Sequence, residues 1–262
     1  MRSRVITALL ILGVLLPVIY LSAELFKFVG IIIVAIATHE LLEVKKERDY
    51  AFLSKLVIYI VNILPLLLIS DFTKVNASYI AILVLIFCAL MIFDKKIDSN
   101  DMAYLLSLSL FIILASNSAM YLRSLDNGFY VVIFSILVTA ASDTGAFFVG
   151  NMLGKHKLIE RISPNKTIEG LIGGVILAVI VGIVYGLLLP TGFTSLVEIA
   201  FVSFVLGFGA AFGDLIFSAI KRTNKIKDFS NMLPGHGGIL DRVDSHFTNL
   251  IICFTIIVLL KG

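Results

Sequence analysis

Tryptophan is absent, cysteine occurs twice, and charged residues fill only 15% of the 262 positions. Cys88 and Cys253 each sit inside an apolar run, which excludes a disulfide framework and a cysteine metal cluster. The GxxxxGK loop of soluble nucleotide-binding proteins is missing, as are the CxxC and HExxH metal patterns. No repeat, low-complexity tract or linker divides the chain. What remains is 59% hydrophobic, with 20 phenylalanines and a mean hydropathy of +1.05. A soluble domain lies nearer about 45–50% apolar, so water is not the main solvent of this chain.

A helix needs about 20 residues to cross roughly 30 Å of hydrocarbon, because every backbone amide must be satisfied inside it. That rule predicts an all-α, polytopic transmembrane protein with about nine spans, near 5–23, 25–43, 54–70, 79–93, 102–120, 129–150, 168–190, 196–218 and 246–261. The N-terminus has the basic start and apolar stretch of a signal peptide, but that stretch fills a bilayer width and further spans follow, so it is read as a retained first span. With the N-terminus in the cytoplasm, every Lys and Arg except Lys27, Lys74, Arg123 and Lys261 falls on the inner side, as the positive-inside rule requires. The C-terminus is then outside. The chain is expected to form one integral membrane domain over 1–262, with 1–128 mainly scaffold spans and 129–262 the catalytic half. Glu40 and Glu43, near the inner end of the second span, either touch the site or are solvated by the helix end.

The features that can carry chemistry gather between 139 and 245. An ionised carboxylate in hydrocarbon costs at least a few kcal/mol, so it is normally paired, hydrated or bound to a cation. Asp214 lies near the inner end of the eighth span, and Asp241 and Asp244 lie just before the ninth. If 239–247 begins the last helix, Asp241 and Asp244 share a face, and with Asp214 they offer oxygen ligands to a hard cation. They serve equally as helix-entry carboxylates beside Arg242, favoured by the helix dipole.

Between these spans stand Lys221, Arg222, Lys225, Lys227 and Arg242, so the loop offers metal ligands and anion ligands together. That pairing suits phosphates, which cations neutralise while phosphorus is attacked. Such bases are also ordinary positive-inside residues that contact anionic lipid heads. Pro234, Gly235, Gly237 and Gly238 surround His236, and this stretch should turn tightly and bring backbone N–H groups toward an anion. Upstream, Ser142, Asp143 and Thr144 interrupt an apolar span, Asp143 being either a site residue or a buried structural acceptor. A polar turn containing Ser163, Pro164 and Lys166 then enters a helix that Thr167 can cap, where free N–H groups and Lys166 would hold an anion.

At these residues the sequence resembles the phosphatidate cytidylyltransferases, also called CDP-diacylglycerol synthases. Their C-terminal signature is matched here by Ser218, Lys221, Arg222, Lys227, Asp228, Pro234, His236, Gly237, Gly238, Asp241, Arg242 and Asp244. The resemblance takes in Gly213 and Asp214 and the stretches SDTGAFFVG and SPNKTIEG, with Phe147 standing where Tyr is more usual.

The resemblance implies transfer of a cytidylyl group from CTP to phosphatidic acid, giving CDP-diacylglycerol and pyrophosphate, with Mg²⁺ required. It makes Asp214, Asp241 and Asp244 the metal-site carboxylates and assigns Lys221, Arg222, Lys227 and Arg242 mainly to phosphate. Lys227 and Asp228 are further candidates for the chemistry, Asp228 also for orienting Lys227. Ser218, His236, Gly237, Gly238, Asp143, Lys166 and Thr167 are expected to bind the nucleotide. A homodimer in membrane lipid is implied; no nucleic-acid partner is expected, the compact chain suggests a bacterial plasma membrane, and the basic loops put the site on the cytoplasmic face. Two alternatives are a transferase for isoprenoid phosphates or alcohols, and a transporter. The gathering of charge at one face speaks against the transporter.

Overall fold

The computed structural model describes residues 17–68, 77–230 and 237–261. The chain divides into two compact units, one built from residues up to Tyr121 together with Asp228–Asp241, the other from Leu122–Lys227 together with Arg242–Gly262.

The first unit holds helices α1 (Ala23–Glu43), α2 (Phe52–Leu68) and α3 (Ala77–Phe93), and most of α4 (Ser99–Ser124). Ser22 starts α1 by accepting the Leu25 N–H at 3.0 Å, satisfying one of the amides that a helix start leaves open. Leu41, Ile58, Leu66, Leu83, Phe87, Leu105 and Ile112 are buried in its core. Two carboxylates tie the helix ends together. Asp94, just after α3, accepts from the Ala51 N–H at 2.8 Å, the Ser54 hydroxyl at 2.7 Å and the Lys96 N–H at 3.1 Å. Burial pushes its pKa up, but those donors favour the ionised form more strongly, and the net shift is downward.

Asp101, fully buried in the first turn of α4, meets Lys45 at 3.2 Å and Arg48 at 3.1 Å, while Arg48 also reaches Asp98 at 2.7 Å. Replacing Asp101 with Ala takes the carboxylate from Lys45 and one of two carboxylates from Arg48, and both cations can still turn toward water. A loss of about 2 kcal/mol in detergent-solubilised thermal unfolding is expected, below the range for a fully buried pair. Asp98→Ala loses a half-exposed ion pair of small value but also the acceptor for the Asp101 N–H at 2.8 Å at the start of α4, so about 1 kcal/mol is expected.

The second unit contains α5 (Gly128–Leu153), a two-stranded hairpin of β1 (Lys157–Ile159) and β2 (Ser163–Thr167), then α6 (Ile168–Leu188), α7 (Leu196–Thr223) and the greater part of α8 (Leu240–Lys261). The strands pair antiparallel, Lys157 opposite Thr167 and Ile159 opposite Ser163, with the register shifting between the two pairs. Small residues let the helix backbones approach, as in membrane bundles generally. A Cβ added at Gly145 of α5 would lie 2.8 Å from the Gly173 carbonyl oxygen and 3.0 Å from the Gly174 Cα of α6. Polar links reinforce this packing. Ser142 donates to the Gly207 carbonyl at 2.9 Å, and buried Asn249 of α8 donates to Thr139 of α5 at 2.7 Å and to the Leu206 carbonyl of α7 at 2.9 Å.

Among the described residues, six helices are long and apolar enough to cross a membrane: α1, α4, α5, α6, α7 and α8. The expectation of nine is corrected to these six. Both α2 and α3 have 17 residues, about 26 Å at 1.5 Å per residue, short of the hydrocarbon thickness. Most of the predicted 5–23 span lies outside the described residues. Outward-facing side chains agree with a lipid solvent. On α6, Ile168, Ile172, Ile176, Ile180 and Val184 recur every four residues and are all exposed, an apolar stripe that water would penalise and hydrocarbon does not. The protein is an integral membrane protein with an all-helical body.

Candidate active site

Thr167 both ends β2 and caps α6, its hydroxyl accepting the Gly170 N–H at 3.1 Å, as the sequence led us to expect. Glu169, in the first turn of that helix, reaches back to accept from the Lys155 N–H at 3.1 Å and the His156 N–H at 3.2 Å. The hairpin is thereby fixed against the start of α6, with Lys166 on its last strand. Beside it lies a cavity of about 630 Å³, lined by residues of α5, the hairpin, α6 and α7. Asp143, Lys166, Thr167 and Asp214 line this one cavity, together with Lys157 and Asn165.

Lys166 pairs with Asp214 Oδ2 at 2.5 Å, and Ser218, one turn along α7, donates to Asp214 Oδ1 at 3.2 Å. Asp143, Asp214 and Asp244 stand near enough to feel one another's charge, with Lys166 near Asp143 and both Lys166 and Lys221 near Asp244. Asp244 is buried, and its Oδ1 accepts the Ser245 N–H at 2.7 Å. Arg222 donates to the Ile162 carbonyl in the hairpin turn at 3.3 Å and to the Ile226 carbonyl at 3.3 Å. The second unit thus combines negative charge on α5, α7 and α8 with cations on the hairpin and α7. Such a site can bind a metal–phosphate group but lacks the marks of a nucleophile–base pair.

The other expected residues are placed differently. Gly237, Gly238 and Asp241 belong to the first unit. Asp241 Oδ2 accepts the Phe229 N–H at 2.8 Å and the Gly238 N–H at 2.9 Å, so the helix-entry role weighed from the sequence has a definite geometry. Gly237 has φ +79 and an added Cβ would lie 3.0 Å from Asp241 Oδ2, which explains glycine at this turn. Lys227, Asp228 and Arg242 are exposed. His236 and Pro234 lie outside the described residues. Asn151, Lys157 and Asn165 were not singled out for the site by the sequence; Asn151 reaches the cavity from the end of α5, and Lys157 and Asn165 reach it from the hairpin.

For Mg²⁺ the donor chemistry of the second unit is suitable, since Asp143, Asp214 and Asp244 supply hard oxygens. Among the described residues, however, no three acidic, His or Cys side chains are gathered closely enough to hold a metal ion. The expected trio of Asp214, Asp241 and Asp244 therefore does not form a ready-made coordination group. Asp214 is engaged by Lys166, and Asp241 by backbone amides.

The chain is similar to known proteins over nearly its whole length. The family model described as the cytidylyltransferase family matches residues 2–260. A phosphatidate cytidylyltransferase of Bacillus subtilis is 31% identical over 254 residues, covering 94% of this chain and 93% of that protein. One from Staphylococcus saprophyticus is 33% identical over 251 residues, with 94% of each chain covered. One from Staphylococcus aureus reaches 44% identity over 121 residues, or 46% of each chain. The signature residues, the apolar helices and this agreement from end to end converge, and the chain belongs to the phosphatidate cytidylyltransferase family.

Proposed function

We propose that this protein transfers the cytidylyl group of CTP to phosphatidic acid, giving CDP-diacylglycerol and pyrophosphate. The observation that carries this reading is the cavity of the second unit, where Lys166 and Asp214 pair beside Asp143 and the capped start of α6. Cationic side chains and a helix N-terminus there favour phosphate oxygens, and the neighbouring carboxylates favour a divalent cation.

In this scheme a phosphate oxygen of the lipid attacks the α-phosphorus of CTP. The bond from that phosphorus to the bridging oxygen breaks, and the electron pair leaves with pyrophosphate. The attacking phosphate monoester is already largely ionised near neutral pH, so no strong general base is needed. Lys166 and Lys157 neutralise phosphate charge from the hairpin, while Lys221 and Arg222 do so from the end of α7. Asp214 and Asp244 are the residues best suited to hold Mg²⁺, with Asp143 beside them. Bound there, Mg²⁺ supplies the neutralisation that makes the triphosphate approachable by an anionic lipid.

The distribution of Lys and Arg favours a site facing the cytoplasm, and, with the expected 5–23 span retained ahead of α1, a cytoplasmic N-terminus. The bacterial relatives favour the plasma membrane of a bacterium.

Purified protein in detergent micelles, given CTP, phosphatidic acid and Mg²⁺, should release pyrophosphate, and should not do so with an isoprenyl phosphate or a lipid alcohol. Asp244→Asn should lower that release by about 10²-fold or more, the scale on which one electrostatic group at a reacting centre counts. Equal rates for Asp244→Asn and the parent would remove Asp244 from the site. Preference for another acceptor would replace phosphatidic acid.

A further inference from the structure

Glu40 stands in the last turn of α1, in the half that the sequence marks as scaffold, and it is fully buried. Its partners come from the far end of the chain. Oε1 accepts the Ser230 hydroxyl at 2.7 Å and the Ile239 N–H at 2.7 Å, and Oε2 accepts the Leu240 N–H at 2.8 Å. Gly238 lies against the same carboxylate, where an added Cβ would sit 2.6 Å from Oε1.

Asp241 closes a second loop over the same stretch by accepting from Phe229 and Gly238. Residues 229–230 on one side and 238–240 on the other are thus tied by two carboxylates, all within the first unit. A buried carboxylate is costly unless several donors satisfy it. Here two of the three are open amides at the start of α8, whose dipole also favours negative charge.

We propose that Glu40 is a positioning residue for the signature segment, holding Gly238 and the first turn of α8 in the geometry the reaction uses. It is enclosed and has no access to substrate, so it acts through that segment and not on the reacting atoms. The kinetic part of this inference rests on the reaction proposed above, whereas the structural part does not.

The test compares Glu40→Ala, Glu40→Gln and the parent by amide hydrogen exchange and by steady-state kinetics with CTP and phosphatidic acid. In Glu40→Ala, exchange at Ile239 and Leu240 should rise at least about tenfold, with protection in α4 kept. The accompanying fall in kcat should approach about 10²-fold, the scale expected when reacting groups are misplaced by about 1 Å. Glu40→Gln keeps one oxygen acceptor, so it should recover part of both. Gly238→Ala should be far less harmful in the Glu40→Ala background than alone, because the carboxylate it would strike is gone.

Unchanged exchange at Ile239 and Leu240 in Glu40→Ala would overturn the clamp. Raised exchange with kcat and KM both unchanged would overturn its part in the reaction. A parent protein that releases no pyrophosphate would instead refute the proposed function, and the exchange data would still decide the clamp.

Discussion

Asp214→Asn is expected to reduce pyrophosphate release by about 10³-fold while leaving the protein folded. Asparagine keeps the shape of the side chain and an oxygen that can accept from Ser218, which sits 3.2 Å from Asp214 Oδ1. What it removes is the charge that pairs with Lys166 at 2.5 Å and that Asp143 and Asp244 feel. Loss of that charge weakens the hold on a cation and leaves Lys166 without its partner. The rate at saturating CTP should fall, with thermal unfolding in detergent nearly unchanged. A variant within tenfold of the parent rate would place Asp214 outside the chemistry.

Gly145→Leu should severely damage the second unit. The added Cβ would lie 2.8 Å from the carbonyl oxygen of Gly173 and 3.0 Å from both the Cα of Gly174 and the Cβ of Leu177. The first two are backbone atoms and cannot turn aside, so α5 and α6 must separate. A cost of about 3 kcal/mol is expected, at the upper end for overpacking. Because both helices line the cavity, activity should disappear with stability. Unfolding can be followed, with Cys88 replaced by Ala in both proteins, by a thiol-reactive dye that reports exposure of the buried Cys253. Ile176→Leu, on the exposed stripe of α6, is the control and should change neither property. A Gly145→Leu protein that unfolds with the parent would contradict the close helix approach.

Much of the second unit was legible because one physical quantity, hydropathy over a helix length, dominates there. The spans expected at 129–150, 168–190 and 196–218 correspond to helices Gly128–Leu153, Ile168–Leu188 and Leu196–Thr223. The last span, expected at 246–261, is part of a helix that begins at Leu240. Its first two turns carry Asp241, Arg242 and Asp244, which are too polar for a hydrocarbon window yet compatible with a helix start. The hairpin was not legible. Lys157, Ser163, Pro164, Asn165 and Lys166 show neither the alternation nor the β-branched content that marks strands, and here the pairing brings Lys166 to Asp214.

Single residues divide in the same way. Thr167 could be recognised as a cap because its partner is three residues away. Glu40 could not, because its partner amide at Ile239 is 199 residues distant and nothing local distinguishes a clamp from a solvated helix end. The metal group suffered from a related limit. Spacing places Asp241 and Asp244 on one face of a helix, but it does not reveal that backbone amides already occupy Asp241 Oδ2.

The link from Glu40 to Ser230, 190 residues onward, bears on how the molecule is made. A ribosome adds roughly 5–20 residues each second, so α1 is synthesised many seconds before the donors that will satisfy its carboxylate exist. Throughout that interval the side chain must keep its hydration or a temporary companion. The enclosure around it therefore closes late in assembly, and a chain cut short before position 230 would be left with an unmet charge that quality control can sense.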